Sequence, residues 1–370
     1  MITALCLSDP HPDYVNAGCS RRTLSATRYA GRYRVVDFML SNMVNSGIYE
    51  ISMILNSHYQ SLIEHIGTGK EWDLARKSGG VTFFPPYLTD ERQSVNSEID
   101  GPLYRAARAL GKSKNELVVL ADSSIVYNID YRKVIEAHNE SGADVTAVYT
   151  NKVVDTDALA NTVTFKISEE NRITSIRPAR ISSSSQNVSL GAYIMQKNVF
   201  LQLVAGEKNC GMLRFSKELL GNALRRLSVA PYEFTGYSAQ ICSVETYFKH
   251  SMEMLDPEKR NALFNFEDRL VYTSRRDTLP TKYGKTAKIS NSIVADGCRI
   301  EGTVINSVLC RHVRVMPGAV VKNCVLQGGV IEKDAKLEWI VTDRNVIISE
   351  NRRLIGSSTY PVYIERDRII

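Results

Sequence analysis

Two aspartates bracket two prolines in Asp9-Pro10-His11-Pro12-Asp13, directly after the apolar run Ile2–Leu7. A buried first strand followed by a tight turn is where α/β nucleotide-binding folds cradle a phosphate. That chemistry asks for glycines, so that backbone N–H groups approach an anion closely. Here the prolines remove two donors and the aspartates add negative charge. A second place to look is Asp122–Tyr127, at the end of the apolar run Glu116–Ala121.

Other reactive types point to packing. The cysteines Cys6, Cys19, Cys210, Cys242, Cys298, Cys310 and Cys324 are odd in number and form no CxxC pair. They read as reduced, mostly buried thiols of a cytoplasmic protein, with no metal site. His58 and His65, near a helix start and on its face, read as structural.

The elements that must position these residues alternate. Strands are expected at Ile2–Leu7, Glu50–Leu55, Glu116–Ala121 and Asp144–Thr150. Helices are expected at Val35–Ser46, Tyr59–Ile66, Gly101–Gly111 and Tyr131–Ser141, then at Ser216–Leu227 and Tyr247–Leu255. This rhythm predicts a parallel or mostly parallel sheet with helices on both faces, and ligands at the carboxyl ends of its strands. Ser182–Ser185 reads as an exposed loop, and Asp268–Lys282 has a linker's character.

After about Lys285 the texture changes. Small or aliphatic residues recur every six positions at Cys298, Val304 and Cys310, at Val313, Ala319, Val325 and Ile331, and at Ala335, Val341 and Ile347. A six-residue period predicts a left-handed parallel β-helix with one inward residue per short strand. The expected organisation is an α/β domain over residues 1–255, a linker over 256–284 and the β-helix over 285–370.

The 370 residues suffice for two domains. No apolar run is long enough for a membrane span, and no signal-peptide pattern is seen. The net charge of +6 comes without a dense basic block with interleaved aromatics, so small phosphorylated anions fit better than nucleic acid.

Several segments together resemble one family. "GRYRVVDFMLSNMVNSGI" (31–48) is similar to GGKFRIIDFALSNCINSGI of glucose-1-phosphate adenylyltransferase, also called ADP-glucose pyrophosphorylase. "HYQSLIEHI", "VSLGAYIM" and the β-helix run "NSIVADGCRIEGTVINSVL" resemble its other segments, so the likeness covers nearly the whole chain. It implies a nucleotidyltransferase-like (Rossmann-like) domain, ATP and glucose 1-phosphate as substrates, Mg²⁺ as cofactor, and tetramers.

The family's functional positions are nearly all altered here. Its glycine-rich LAGGRGTRL falls on Leu7–Val15, putting Asp9, Pro10 and Pro12 at the glycines and His11 at the phosphate-binding arginine. Leu24 stands at a lysine of KRAKPAV, and Ser124 at the metal aspartate of SGDHIYKMNY. Asp122, two residues from that position, reads either as a displaced metal carboxylate or as a turn cap. Arg108 replaces an acidic residue of GTADAV, and Arg177 stands near the sugar-phosphate lysine of EKP. Arg214 is at a metal-associated aspartate of DFGKD, and Gln240 at the aspartate of WRDVGTLDAYW.

The resemblance is therefore to the GlgD-type regulatory subunit, expected to lack catalytic residues and a cofactor of its own. Its expected partner is a Mg²⁺-bearing, GlgC-type catalytic subunit in a heterotetramer, with a homo-oligomer as the other assembly. An active nucleotidyltransferase with a rewired phosphate and metal site is the alternative. Arg32 sits at an effector-contacting lysine of the family. Arg32 and Arg34 are thus expected either to hold a phosphorylated effector or a partner, or to form structural ion pairs.

Overall fold

The computed structural model describes residues 2–7, 22–55, 58–86, 102–154, 156–205, 207 and 212–370. The turn holding Asp9, Pro10, His11 and Pro12 lies outside them. Among the described residues, no helix is long and apolar enough to cross a membrane.

The front half is built on one mixed sheet. Its strands are β1 (Ile2–Leu7), β2 (Glu50–Ile54), β3 (Gly80–Phe84), β4 (Leu117–Asp122), β5 (Val145–Lys152), β6 (Val163–Ile167), β7 (Ile173–Pro178), β8 (Gln186–Gln196) and β9 (Val229–Glu233). The order is β7-β6-β8-β4-β1-β2-β3, with β5 also beside β8 and β9 beside β5. Strands β4, β1, β2 and β3 run parallel, and the central β1 and β4 are buried along nearly their whole length. The long strand β8 is antiparallel to β4, β5 and β6. It bulges between Ser189 and Ala192, where Gly191 takes φ +61°. A Cβ on Gly191 would lie 2.7 Å from the Asp122 Cβ, so only glycine lets β8 pass the end of β4.

The helices follow their caps. Helix α1 (Val35–Asn45) is buried almost throughout and ends before Gly47, at φ +78°. α2 (Gln60–Ile66) and α3 (Pro102–Lys112) follow. α4 (Tyr131–Ser141) starts at Asp130, whose carboxylate accepts from Arg132 N–H at 3.0 Å, and stops at Gly142. α5 (Val244–Glu253) begins three residues earlier than its apolar pattern suggests, because Ser243 accepts from Thr246 N–H as a cap. α6 (Pro257–Phe264) follows. The helix expected at 216–227 is displaced to 212–223 and includes a six-residue π-turn, Phe215–Leu220. Ser216 Oγ donates back to the Met212 carbonyl at 2.8 Å within it, a bond that competes with the regular ladder.

The second half is a left-handed parallel β-helix of three five-stranded parallel sheets. Successive partners Lys288, Thr303, Val320, Lys336 and Arg353 give coils of 15, 17, 16 and 17 residues. Corners that need a left-handed residue are filled by Asn291, Asn306 and Asn323, all at positive φ. Trp339 takes this corner in the next coil, at φ +58°, and its ring lies 5.9 Å from that of Phe248 on α5.

Most six-spaced positions are buried, but they do not all face the helix interior. Val304, Val313, Ala319 and Ile331 point inward. Val308, Val325 and Val341 form a register column pointing outward, into an apolar cluster with Leu24, Phe38, Phe248 and Leu255 of the front half. Ile347 is half-buried, and Val346 and Ile348 fill the core instead. The shorter coils cause the shift, because a six-residue count drifts out of phase over a 15- to 17-residue turn.

This shared cluster makes the two halves one cooperative unit. Calorimetry of the chain is expected to show a single transition. Val325→Asp, which buries a charge without a partner, should lower Tm and split the melt in two, whereas Val325→Ala should cost roughly 1–3 kcal/mol. A single unshifted melt for Val325→Asp would rule out the shared core.

Candidate functional site

Strands β1 and β4 end side by side, with Leu7 and Asp122 as register partners. Leu24 lies in a short turn, Leu24–Ala26, and is 3% exposed. Its side chain belongs to the apolar cluster between the two halves. Beside it, Ser25 Oγ and Ser123 Oγ are 2.7 Å apart, and Ser123 Oγ donates to the Leu7 carbonyl at 2.6 Å. These bonds tie the turn to the strand ends.

Ser124 is buried and serves Asp122. Its N–H and hydroxyl donate to Asp122 Oδ1 at 2.8 and 2.6 Å. Asp122 is itself buried, and desolvation pushes its carboxyl up to about 6 against the pull of the Ser124 bonds. Of its two sequence readings, turn cap and metal carboxylate, the cap geometry is present. Among the described residues, no group of three or more His, Cys, Asp or Glu side chains could hold a metal ion.

Most of the remaining altered positions have bonds to other partners. Arg177 is exposed on β7, with Nε donating to Ser175 Oγ at 3.0 Å. Arg214 pairs with Glu207 and Glu218, each at 3.0 Å. Gln240 accepts from Thr162 Oγ1 at 2.9 Å, and Arg108 is exposed on α3. His65 is buried and bonded to Asp37 at 2.5 Å, while His58 is exposed.

A different site stands between the two halves. A cavity of about 380 Å³ is lined by Arg28, Arg311, Arg314 and Arg344, together with His312 and the Gln327–Gly329 turn. Arg28 lies on the hairpin that pairs it with Arg34. From the front half it donates to the carbonyls of Arg311 (3.0 Å) and Gln327 (2.5 Å). Asp296, Arg311, Gly328 and Arg344 each lie two residues past the register column Val294, Leu309, Leu326 and Thr342. They therefore occupy one corner on successive coils. The glycine between the two arginines leaves the space that a side chain would fill.

The charges there are incompletely matched. Arg311 pairs with Asp296 at 2.9 Å, and Arg22 pairs with Asp343. Arg344 Nε and Nη2 are buried and have no hydrogen-bond partner among the described residues. Burial, together with repulsion among neighbouring arginines, holds Arg344 and Arg34 down at about 9 and lowers Arg28. An anion placed in this cavity would meet several guanidinium groups in a partly dry setting, which favours charge-assisted bonds to phosphate or carboxylate.

The two cations expected from sequence do not line this cavity. Arg34 caps α1 and donates to Ser61 carbonyl and hydroxyl oxygens at 2.5 and 3.1 Å. Arg32 is exposed and lies 5.7 Å from the Tyr33 ring centroid. Sequence reasoning missed Arg28, Arg311 and Arg344. The available signal was Arg311 and Arg344 flanking Gly328 at coil-length intervals.

Comparison with known proteins fits this architecture. A nucleotidyl transferase model matches residues 23–251, and a GlmU-like C-terminal hexapeptide model matches 278–359. "Glycogen biosynthesis protein GlgD" of Bacillus subtilis (strain 168) is 34% identical over 352 residues, covering 94% of this chain and 90% of that protein. The protein of the same name from Geobacillus stearothermophilus is 36% identical, covering 81% and 77%. "Glucose-1-phosphate adenylyltransferase" of Thermosipho africanus (strain TCF52B) is 30% identical, covering 80% and 72%. With Leu24 and Ser124 set on a shared scaffold of strands and coils, the chain belongs to the nucleotidyl transferase family, in the glucose-1-phosphate adenylyltransferase group that includes GlgD.

Proposed function

We propose that this chain is a regulatory, catalytically impaired subunit of glucose-1-phosphate adenylyltransferase in cytoplasmic glycogen synthesis. It pairs with a GlgC-type catalytic subunit, in a heterotetramer, and raises or tunes that subunit's activity. One observation carries the reading: the positions that should grip phosphate and metal serve the fold instead. Leu24 is core, Ser124 caps Asp122, and Arg214 is paired with two glutamates. Adenylyl transfer depends on a metal ion and on cations around the phosphates, and it loses most of its rate without them. Mg²⁺ belongs to the partner's site, and a phosphorylated metabolite is the effector that the arginine-lined cavity suits.

The testing experiment is an assay of ADP-glucose formation by the purified chain alone, by a glycine-loop homologue alone and by both together. The expected result is little or no rate for this chain and a changed rate or effector response for the mixture. Full activity alone would overturn the reading, as would no effect on the homologue.

The cavity makes a second prediction with two opposite signs. Arg344→Met removes buried donors that lack partners among the described residues, so it should raise stability without ligand by roughly 1–3 kcal/mol. Inorganic phosphate should stabilise the wild type in a thermal-shift titration and do so at least ten-fold less effectively for the variant. Equal phosphate responses would exclude an anion site at Arg344.

Asp122 separates the alternative reading, an active enzyme with a rewired metal site. Its folded carboxyl holds a proton up to about pH 6, whereas the unfolded one releases it near 3.8. Stability therefore falls as pH rises through that window, by roughly 3 kcal/mol in full. Asp122→Asn should be more stable than wild type at pH 7.5 and indistinguishable from it below about pH 4. If Mg²⁺ instead stabilises the wild type and not Asp122→Asn, Asp122 is a metal ligand and the alternative gains.

A further inference from the structure

A second corner column runs beside the arginines. Gly297, His312, Gly329 and Asn345 each lie three residues past Val294, Leu309, Leu326 and Thr342, and all four take positive φ. Such corners favour glycine and asparagine, and His312 is the one ring among them. A Cβ on Gly297 would lie 2.8 Å from His312 Nδ1, so the glycine makes room for the imidazole. The ring lines the cavity together with Arg28, Arg314 and Arg344.

The charges that act on this ring come from four segments. Arg28 belongs to the front half, Arg276 to the segment joining the halves, Arg311 to the same coil and Asp296 to the coil before. Burial and the three arginines lower the proton affinity of His312 from its ordinary value of 6.5. Asp296 opposes them, but it is already paired with Arg311 at 2.9 Å. The ring is therefore mostly neutral at pH 7. An anion in the cavity would reverse the sign of the field. It would offset the arginines and favour the imidazolium, which donates from both nitrogens. The arginines stay charged near neutral pH. Asp296 does too, because Thr278 and Arg311 hold its carboxyl below the usual carboxylate range. His312 is thus the group at this corner whose charge can change in that range.

We propose that His312 makes the anion site proton-linked: the imidazole takes up a proton from solvent when a phosphorylated anion binds, so that acidity and effector are read together. This rests on the anion site proposed above and adds its regulation. By linkage, acid tightens anion binding by the same free energy with which the anion favours the imidazolium. Affinity rises as pH falls between the titration points of the free and the occupied site, and is level on either side.

Sulfate is the probe for the test. Inorganic phosphate itself titrates near neutrality, whereas sulfate keeps both charges from about pH 5 to 8, where histidine titrates. Titration calorimetry of the full-length chain is run at constant low ionic strength, at about pH 6 and about pH 7.5. Wild type should bind sulfate about five-fold more tightly at the lower pH. It should also take up protons, read from the change of binding heat with the ionisation enthalpy of the buffer. His312→Asn suits the left-handed corner, as Asn345 does. It should match wild type at the higher pH, lose the gain at the lower pH and take up no proton. His312→Arg carries its charge throughout and should bind tightly at both. A wild type with no pH dependence, or a His312→Asn variant that keeps all of it, overturns the proposal while the anion site stands. If none of the three proteins binds sulfate at either pH, the anion site and its proton link fail together.

Discussion

A column of residues on one outer sheet of the β-helix, Ile293, Val308, Val325, Val341 and Tyr363, enters the apolar cluster of the front half. These side chains alternate with inward neighbours such as Leu309 and Leu326, so one sheet serves two cores at once. Burial at roughly 25 cal/mol per Å² of apolar surface makes such a contact the main force holding two domains in one arrangement. The polar contacts around it are then fixed in place. Arg28 reaches two β-helix carbonyls, Arg22 meets Asp343, and Tyr363 donates to the same carboxylate at 3.1 Å.

Leu24 shows how this constraint bears on chemistry. A lysine at that position would bring an ammonium into a cluster with Phe38, Phe248 and Val325, where desolvation penalises charge. A leucine there contributes packing between the halves. The same trade recurs at Ser124, whose hydroxyl steadies a buried Asp122, and at Arg214, whose charge is matched by neighbouring glutamates. The altered positions thus have structural work of their own. Placing the family's side chain at any one of them would disturb that work.

Much of the fold is legible from residues alone, for identifiable reasons. Helix α4 can be read with both of its ends, because Asp130 and Gly142 mark a start and a stop that local sequence encodes. Strand β8 cannot be read as the antiparallel partner of three others, since its eight consecutive buried residues record burial and not direction. The β-helix is visible in its spacing, but the inward or outward sense of Val325 and Ile347 is not. That sense depends on coil length, and coils of 15 to 17 residues do not keep a six-residue phase. The arginine cavity is hidden for the same reason. Arg28, Arg311 and Arg344 are distant in sequence and become neighbours only when the coils stack and the halves close.

The cavity also explains why the interface is more than a joint. Arg344 keeps two donors buried and without partners among the described residues, and burial beside Arg28 and Arg22 holds its proton affinity down. Donors held in this way are unfavourable, because each desolvated donor without a partner costs about 1–3 kcal/mol. They persist only where the surrounding contacts over-determine them, and the valine column supplies those contacts. An anion that satisfies those donors removes the penalty, and it does so only while Arg28 from one half and Arg344 from the other remain together. Anion binding and the closed arrangement of the halves therefore stabilise each other by the same free energy. A change that loosens the valine column must weaken the anion site, and an anion in the site must tighten the column, although the two share no side chain.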